Sequence, residues 1–253
     1  MPTSLYDYLN PNHFNRIKTP IRLPIRSAFS AVGFDLGLQD SLQKVPNLSL
    51  PAKMVNAVPK RQVEFLLGRL LAGQLISEFG VEGAFVGQKD RKPVWPKGFV
   101  GSITHTENLA AALVLRESDA VGVGLDCEVV MEDDKFHKIK SHILTPNGEK
   151  YLTKEPSLAP SAVGAKGAKG AKGAIGALGT LIFSAKESLY KCLNPLTEVF
   201  FGFKEAELVK IDRQTLSLRL LKNLSKDYKK GATFSISYTF FENKVFTHLV
   251  LPA

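Results

Sequence analysis

Gly122-Val123-Gly124-Leu125-Asp126-Cys127-Glu128 lies inside a longer apolar run, Ala120–Val130, with the character of a β-strand. In an extended chain alternate side chains share a face, so Asp126 and Glu128 stand side by side. A second stretch, Phe183-Ser184-Ala185-Lys186-Glu187-Ser188-Leu189-Tyr190-Lys191, has helical spacing and puts Glu187 and Lys191 on one stripe. Three carboxylates near an ammonium suit a hard cation such as Mg²⁺ that also grips substrate phosphates. Plainer readings exist for each part. Alternating carboxylates on an exposed edge strand deter edge-to-edge pairing. Ser184-x-x-Glu187 has the form of a capping box at a helix start. Glu187 and Lys191 also fit a solvated i,i+4 pair contributing a few tenths of a kcal/mol.

Working outward, Phe99–His105 and Leu109–Leu115 are strand-like, and Glu117-Ser118-Asp119 supplies a turn that predicts a hairpin with Ala120–Val130. Upstream, Pro59–Gly80 is the clearest helix, with Val63, Leu66, Leu67, Leu70, Leu71 and Ile76 at its period. Its other face carries Arg61, Phe65 and Arg69 at four-residue spacing. Pro93–Lys97 predicts an extended loop. In residues 1–55, Ile21–Ile25 and Phe29–Leu36 suggest strands. Downstream, Lys135–Leu152 is helical with a break at Pro146-Asn147-Gly148, and a further helix begins near Ser184. The strands Leu216–Leu221, Ala232–Phe241 and Lys244–Leu251 follow, with Glu242-Asn243 as a hairpin turn. Helices and antiparallel hairpins in both halves favour α+β over a doubly wound parallel sheet. Ala-Lys-Gly recurs from Gly164 to Gly173, and residues 157–180 are expected to form a flexible insert.

With 253 residues, 44% hydrophobic and 23% charged, the chain has the composition of a soluble globular protein. Lys and Arg number 33 against 24 Asp and Glu, and the resulting charge of +9 favours anionic partners without choosing among them. Two cysteines make no disulfide framework, which favours a reducing compartment. No signal peptide and no apolar run long enough for a bilayer are read, so the expected location is cytoplasmic.

The two acidic motifs, V-G-x-D-x-E and F-S-A-K-E-S-x-x-K, resemble those of the 4′-phosphopantetheinyl transferases, in the branch serving siderophore and other peptide synthetases. Further blocks follow the family's order. Pro59-Lys60-Arg61-Gln62-Val63-Glu64-Phe65-Leu66-Leu67-Gly68-Arg69 is similar to its R-x-x-E/F-x-x-G-R helix. Lys92-Pro93-Val94-Trp95-Pro96 and Gly98-Phe99-Val100-Gly101-Ser102-Ile103-Thr104-His105 resemble its K-P-x-W-P and G-S-[IL]-S-H segments. The likeness covers roughly residues 55–192. Thr104 departs from the usual Ser but keeps a hydroxyl, Cys127 replaces an apolar residue and should face the core, and the Ala-Lys-Gly insert has no counterpart.

This resemblance implies two similar α/β halves packed as an intramolecular pseudo-dimer, residues 1–118 and 119–253, with coenzyme A and Mg²⁺ between them. It implies transfer of 4′-phosphopantetheine from coenzyme A to a carrier-protein serine, releasing adenosine 3′,5′-bisphosphate. Asp126, Glu128 and Glu187 would hold Mg²⁺, Glu187 would act as general base, and Lys191 would stabilise the leaving phosphate. Arg61, Arg69, Lys92, Pro93, Thr104, His105 and Lys186 would contact coenzyme A. Expected partners are acidic apo carrier domains, alone or in a synthetase complex, steered by the +9 charge. Leu193, Leu196, Phe200 and Phe201 are docking candidates, the two phenylalanines fitting a core better. Two rivals stand beside this reading. One is another Mg²⁺-dependent enzyme of nucleotides or coenzyme A. The other is a basic nucleic-acid-binding module built on Lys222–Lys230, which leaves the three carboxylates unexplained.

Overall fold

The structure, a computed structural model, describes residues 4–18, 21–24, 26–90, 92–154 and 173–253. Its elements fall into two compact units. The first runs to Val123 and the second from Gly124 to Leu251, apart from short crossings at residues 20–22 and 252–253. The fold is α+β.

In the first unit the elements are β1 (Phe14–Arg16), β2 (Ala28–Phe34), α1 (Gln39–Leu42), α2 (Pro59–Ser77), β3 (Gly87–Lys89), β4 (Lys92–Val94), β5 (Phe99–Thr106) and β6 (Leu109–Arg116). The main sheet has the order β1-β2-β6-β5, every pair antiparallel. Small residues on one face of β6, Ala110 and Ala112, leave room for α2, whose Val63, Leu66, Leu67, Leu70 and Leu71 are almost fully buried. Burying each such leucine contributes about 1.5–3 kcal/mol. Pro59 opens α2, where the missing N–H costs nothing, and Gly80 follows its end with φ +81°. Gly68 lets α2 lie close on β5, since a Cβ there would meet Ile103 Cγ2 at 2.6 Å.

The second unit is built from β7 (Ala120–Val129, whose first residues belong to the first unit), α3 (Asp133–Ile143), α4 (Pro146–Lys154) and α5 (Ala174–Thr197). Then come β8 (Ala206–Ile211), β9 (Thr215–Leu220), β10 (Thr233–Phe241) and β11 (Lys244–Pro252). The sheet order is β7-β11-β10-β9-β8. The predicted Glu242-Asn243 turn joins β10 to β11, with Phe241 opposite Lys244. Leu181, Ile182, Ala185, Leu189 and Leu193 of α5 join β9, β10 and α3 side chains in one core. The first turn of α5 lacks a local cap. Asp133 of α3 supplies it instead, accepting from the Gly173 and Gly176 amides at 3.0 and 2.7 Å. Cys127 and Cys192 are not disulfide-bonded, and both are buried. Burial raises both thiols, Cys192 to about 12 and Cys127 further, with the Asp126 charge adding to the latter.

Several expectations are corrected. β6 and β7 do not form a hairpin: the turn exists, with Asp119 N–H on Arg116 carbonyl, but both edges of β6 are already taken by β2 and β5. Helix α5 begins at Ala174, not near Ser184, so residues 174–180 of the expected insert are helical; residues 157–172 lie outside the described residues. The expected single break in the helical run is present but falls at Leu144–Thr145, and Pro146-Asn147-Gly148 begins α4, as proline at a first helical turn favours. Part of the expected 93–97 loop is strand, since Lys92–Val94 pairs with β3. β1 and β8 went unforeseen, and residues 21–24 form no strand.

Candidate active site

Asp126 and Glu128 project from β7 beside α5, and one glycine makes the approach possible. A Cβ on Gly124 would lie 1.9 Å from the Ser188 carbonyl oxygen and 3.1 Å from Cys192 Cβ. Strand and helix therefore touch at backbone distance, which brings the next carboxylate along β7 into the helix's polar stripe. Asp126 is only 3% exposed, so the edge-strand explanation does not apply to it, although β7 is at the sheet edge. One oxygen, Oδ1, accepts from Lys191 Nζ at 2.7 Å; the other, Oδ2, accepts from Ser184 Oγ at 2.7 Å. Lys191 also donates to the Leu125 carbonyl at 3.1 Å. Lys191 thus makes a cross-element pair to a buried carboxylate, whose desolvation the ammonium offsets. Ser184 and Glu187 lie in the interior of α5, so neither is a cap.

Glu128 and Glu187 complete an acidic corner. Burial, then the neighbouring Asp126 charge, raises the Glu128 carboxyl to about 7. The same two causes in the same order raise Glu187, and Lys191 counters both shifts. Like charges gathered at partial burial disfavour their own ionisation, and a hard cation reverses that cost. Among the described residues no closed group of three His, Cys, Asp or Glu ligands is present. Mg²⁺ does not require one, because it is commonly held by one or two carboxylates and completed by phosphate oxygens and water. The all-oxygen donor set fits it.

Next to Glu187 is a cleft of about 210 Å³ lined by Lys186, Tyr190, Phe200, Phe201 and Phe203. The Lys186 ammonium is held in its wall, donating to the Ile143 and Phe203 carbonyls at 2.7 and 2.6 Å; burial lowers its pKa to about 8. Of the apolar docking candidates, Leu193 and Phe201 are buried, whereas Leu196 is 38% and Phe200 74% exposed. Tyr190 makes edge contact with Phe200, ring centroids 5.8 Å apart.

A separate basic corner sits in the first unit. Arg61 of α2 meets His105 Nε2 of β5, and His105 Nδ1 is 3.4 Å from Glu64 Oε2, which also pairs with Arg61 at 3.3 Å. An imidazole that donates from Nδ1 to Glu64 offers Nε2 as acceptor to Arg61. Glu64, only 7% exposed, thereby orients both groups; the R-x-x-E spacing holds it, yet no role had been assigned to it. Arg69 is 8% exposed, its guanidinium 3.7 Å over the Phe65 ring and its buried Nε without a hydrogen-bond partner among the described residues. Burial, then repulsion from Arg61, lowers its pKa to about 10. Thr104 and His105 are consecutive in β5 and point to opposite faces, so the Thr104 hydroxyl is not in the Arg61–His105 corner. Lys92 and Pro93 sit in the β3–β4 ribbon, both partly buried.

Comparison with known proteins bears on both corners. Residues 50–115 match the 4′-phosphopantetheinyl transferase N-terminal domain, and residues 122–244 match the 4′-phosphopantetheinyl transferase superfamily. The chain is 33% identical over 172 residues to 4′-phosphopantetheinyl transferase Svp of Streptomyces mobaraensis, across 67% of this chain and 63% of that protein. It is 30% identical over 170 residues to enterobactin synthase component D of Salmonella typhi, again 67% and 63%. To 4′-phosphopantetheinyl transferase PptT of Mycobacterium tuberculosis it is 30% identical over 182 residues, 69% of this chain and 71% of that one. The match spans about 63% of the length of the first two relatives. Among the described residues no helix is long and apolar enough to cross a membrane.

Proposed function

The chain belongs to the 4′-phosphopantetheinyl transferase family, and on that premise we propose that it transfers 4′-phosphopantetheine from coenzyme A to a serine of an apo carrier protein. The observation that carries the reading is the meeting of Asp126, Glu128, Glu187 and Lys191 in one corner from two elements.

In the proposed reaction the serine oxygen bonds to the phosphorus that bears pantetheine. The bridging P–O bond breaks, and adenosine 3′,5′-bisphosphate leaves. Asp126, Glu128 and Glu187 are the residues that would hold Mg²⁺, which when bound supplies charge neutralisation at the pyrophosphate. Glu187, partly exposed beside the cleft, is placed to accept the serine proton directly or through one water. Lys191 brings positive charge toward the leaving phosphate while its bond to Asp126 holds it in place. Arg61, Arg69 and His105, with Lys92 and Lys186, are the proposed contacts of coenzyme A. The unpartnered Nε of Arg69 supports an anionic guest there, since guanidinium forks match phosphate oxygens.

The acceptor is proposed to be an acidic carrier domain of a siderophore or other peptide synthetase. Net charge +9 and exposed Phe200 support an acidic partner with an apolar contact. Incubation with coenzyme A, Mg²⁺ and a panel of apo carrier domains should give one phosphopantetheine mass gain per carrier. A panel left unmodified would refute the reading, and turnover of another nucleotide instead would favour the rival enzyme.

A further inference from the structure

We propose that Thr247, acting with the hydroxyls of Ser184 and Ser188, is a positioning residue for Asp126 and sets how tightly the acidic corner holds a divalent cation. This rests on the reading of that corner as a metal site.

Thr247 lies in β11, and its side chain, like those of Ser184 and Ser188, is fully buried. The three hydroxyls form a line toward the carboxylate. Ser188 Oγ is 2.7 Å from Thr247 Oγ1, Thr247 Oγ1 is 2.9 Å from Ser184 Oγ, and Ser184 Oγ is 2.7 Å from Asp126 Oδ2. An ionised carboxylate only accepts, so Ser184 must donate to it. Ser184 has a single proton, so the Ser184–Thr247 bond forms only if Thr247 donates. Thr247 then accepts from Ser188, whose single proton is shared between Thr247 Oγ1 and the Thr247 carbonyl, 3.0 Å away. Asp126 therefore fixes the polarity of the Ser184 and Thr247 members, and aligned hydroxyl chains strengthen their last member.

A buried serine or threonine in a helix ordinarily satisfies itself on the carbonyl one turn back. Thr180 of the same helix does so, donating to the Gly176 carbonyl at 2.6 Å. Ser184 and Ser188 do not; their bonds go across to β7 and β11. With Oδ2 held by Ser184 and Oδ1 by Lys191, the Asp126 carboxylate is fixed in rotation. Thr247 is a residue that acts through another, two steps from the carboxylate and beyond the 122–244 stretch that matches the superfamily. Partners of this kind orient a ligand, and losing one typically weakens metal binding 10–100-fold.

The test titrates Mn²⁺ directly onto the whole protein, following free Mn²⁺ by electron paramagnetic resonance, with thermal melts on the same samples. Thr247→Val and Ser184→Ala should each weaken Mn²⁺ binding about 10-fold or more, while Thr247→Ser restores wild-type binding. In transfer assays the half-saturating Mg²⁺ concentration should rise with kcat at saturating Mg²⁺ little changed. Ser184→Ala adds no bulk, so it carries the comparison if the valine variant does not fold. Folded variants that bind Mn²⁺ as tightly as wild type overturn the positioning role alone. A wild-type chain that binds no Mn²⁺ overturns the metal reading and this proposal with it.

Discussion

Substituting Gly124 by alanine tests whether the contact between β7 and α5 positions the acidic corner. The added Cβ would lie 1.9 Å from the Ser188 carbonyl oxygen, where carbon–oxygen contacts ordinarily settle near ~3.3 Å. The obstacle is helix backbone, which cannot rotate aside, so strand and helix must separate by roughly an ångström. Overpacking of this kind costs about 1–3 kcal/mol. For a chain of this length each kcal/mol lowers Tm by about 2–4 °C, giving an expected drop of about 2–12 °C. The same displacement lengthens both 2.7 Å bonds to Asp126, from Lys191 and Ser184, beyond hydrogen-bonding range. Transfer should then fall about 100-fold, the typical effect of a ~1 Å misplacement. Calorimetry and a carrier mass assay read the two effects, with Gly202→Ala as the stability control because a Cβ there meets nothing within 4 Å. A Gly124→Ala protein with wild-type Tm and wild-type transfer would refute the packing argument.

Glu187→Gln should fold normally, since Gln and Glu have similar helix propensity and no cap is lost, yet transfer at least ~100-fold more slowly; a near wild-type rate removes Glu187 from the base role. Glu128 has a folded pKa of about 7 against 4.5 for the free group. Between those values the folded state binds more protons than the unfolded state, so this group makes stability fall as pH rises. Without divalent cation, Glu128→Gln should therefore match wild type in Tm near pH 4.5 and exceed it above pH 7; a gap that narrows with rising pH contradicts the coupling. Coenzyme A should raise Tm by mass action, and its analogue without the 3′-phosphate should raise it less. Equal shifts would detach Arg61, Arg69 and His105 from that phosphate.

The parts legible in the sequence were those with a short period. Spacing of two in β7 and of three to four in α2 and α5 fixed which side chains share a face, and Asp126, Glu187 and Lys191 do lie together. The long-range partners were hidden. Nothing local to Lys191 says that it pairs with Asp126, 65 positions away. Ser184 and Glu187 have capping-box spacing, and only the helical start at Ala174, fixed by the distant Asp133, reveals that they are interior. The β6–β7 turn is correctly placed, but which strand fills each edge of β6 depends on β2 and β5, which no local pattern encodes. Thr247 looks like any threonine in a strand until α5 is packed against it.

The two buried thiols make the chain convenient to label. At neutral pH a thiol with a pKa near 12 is ionised in about one molecule in 100,000, and the thiolate is the reactive form. Cys127 is shifted further in the same direction. Maleimides and other alkylating probes should thus leave the native protein untouched. Phe200→Cys would introduce a single responsive position at the rim of the Glu187 cleft, where a fluorophore reports arrival of an acceptor domain in real time, with no need to remove the natural cysteines.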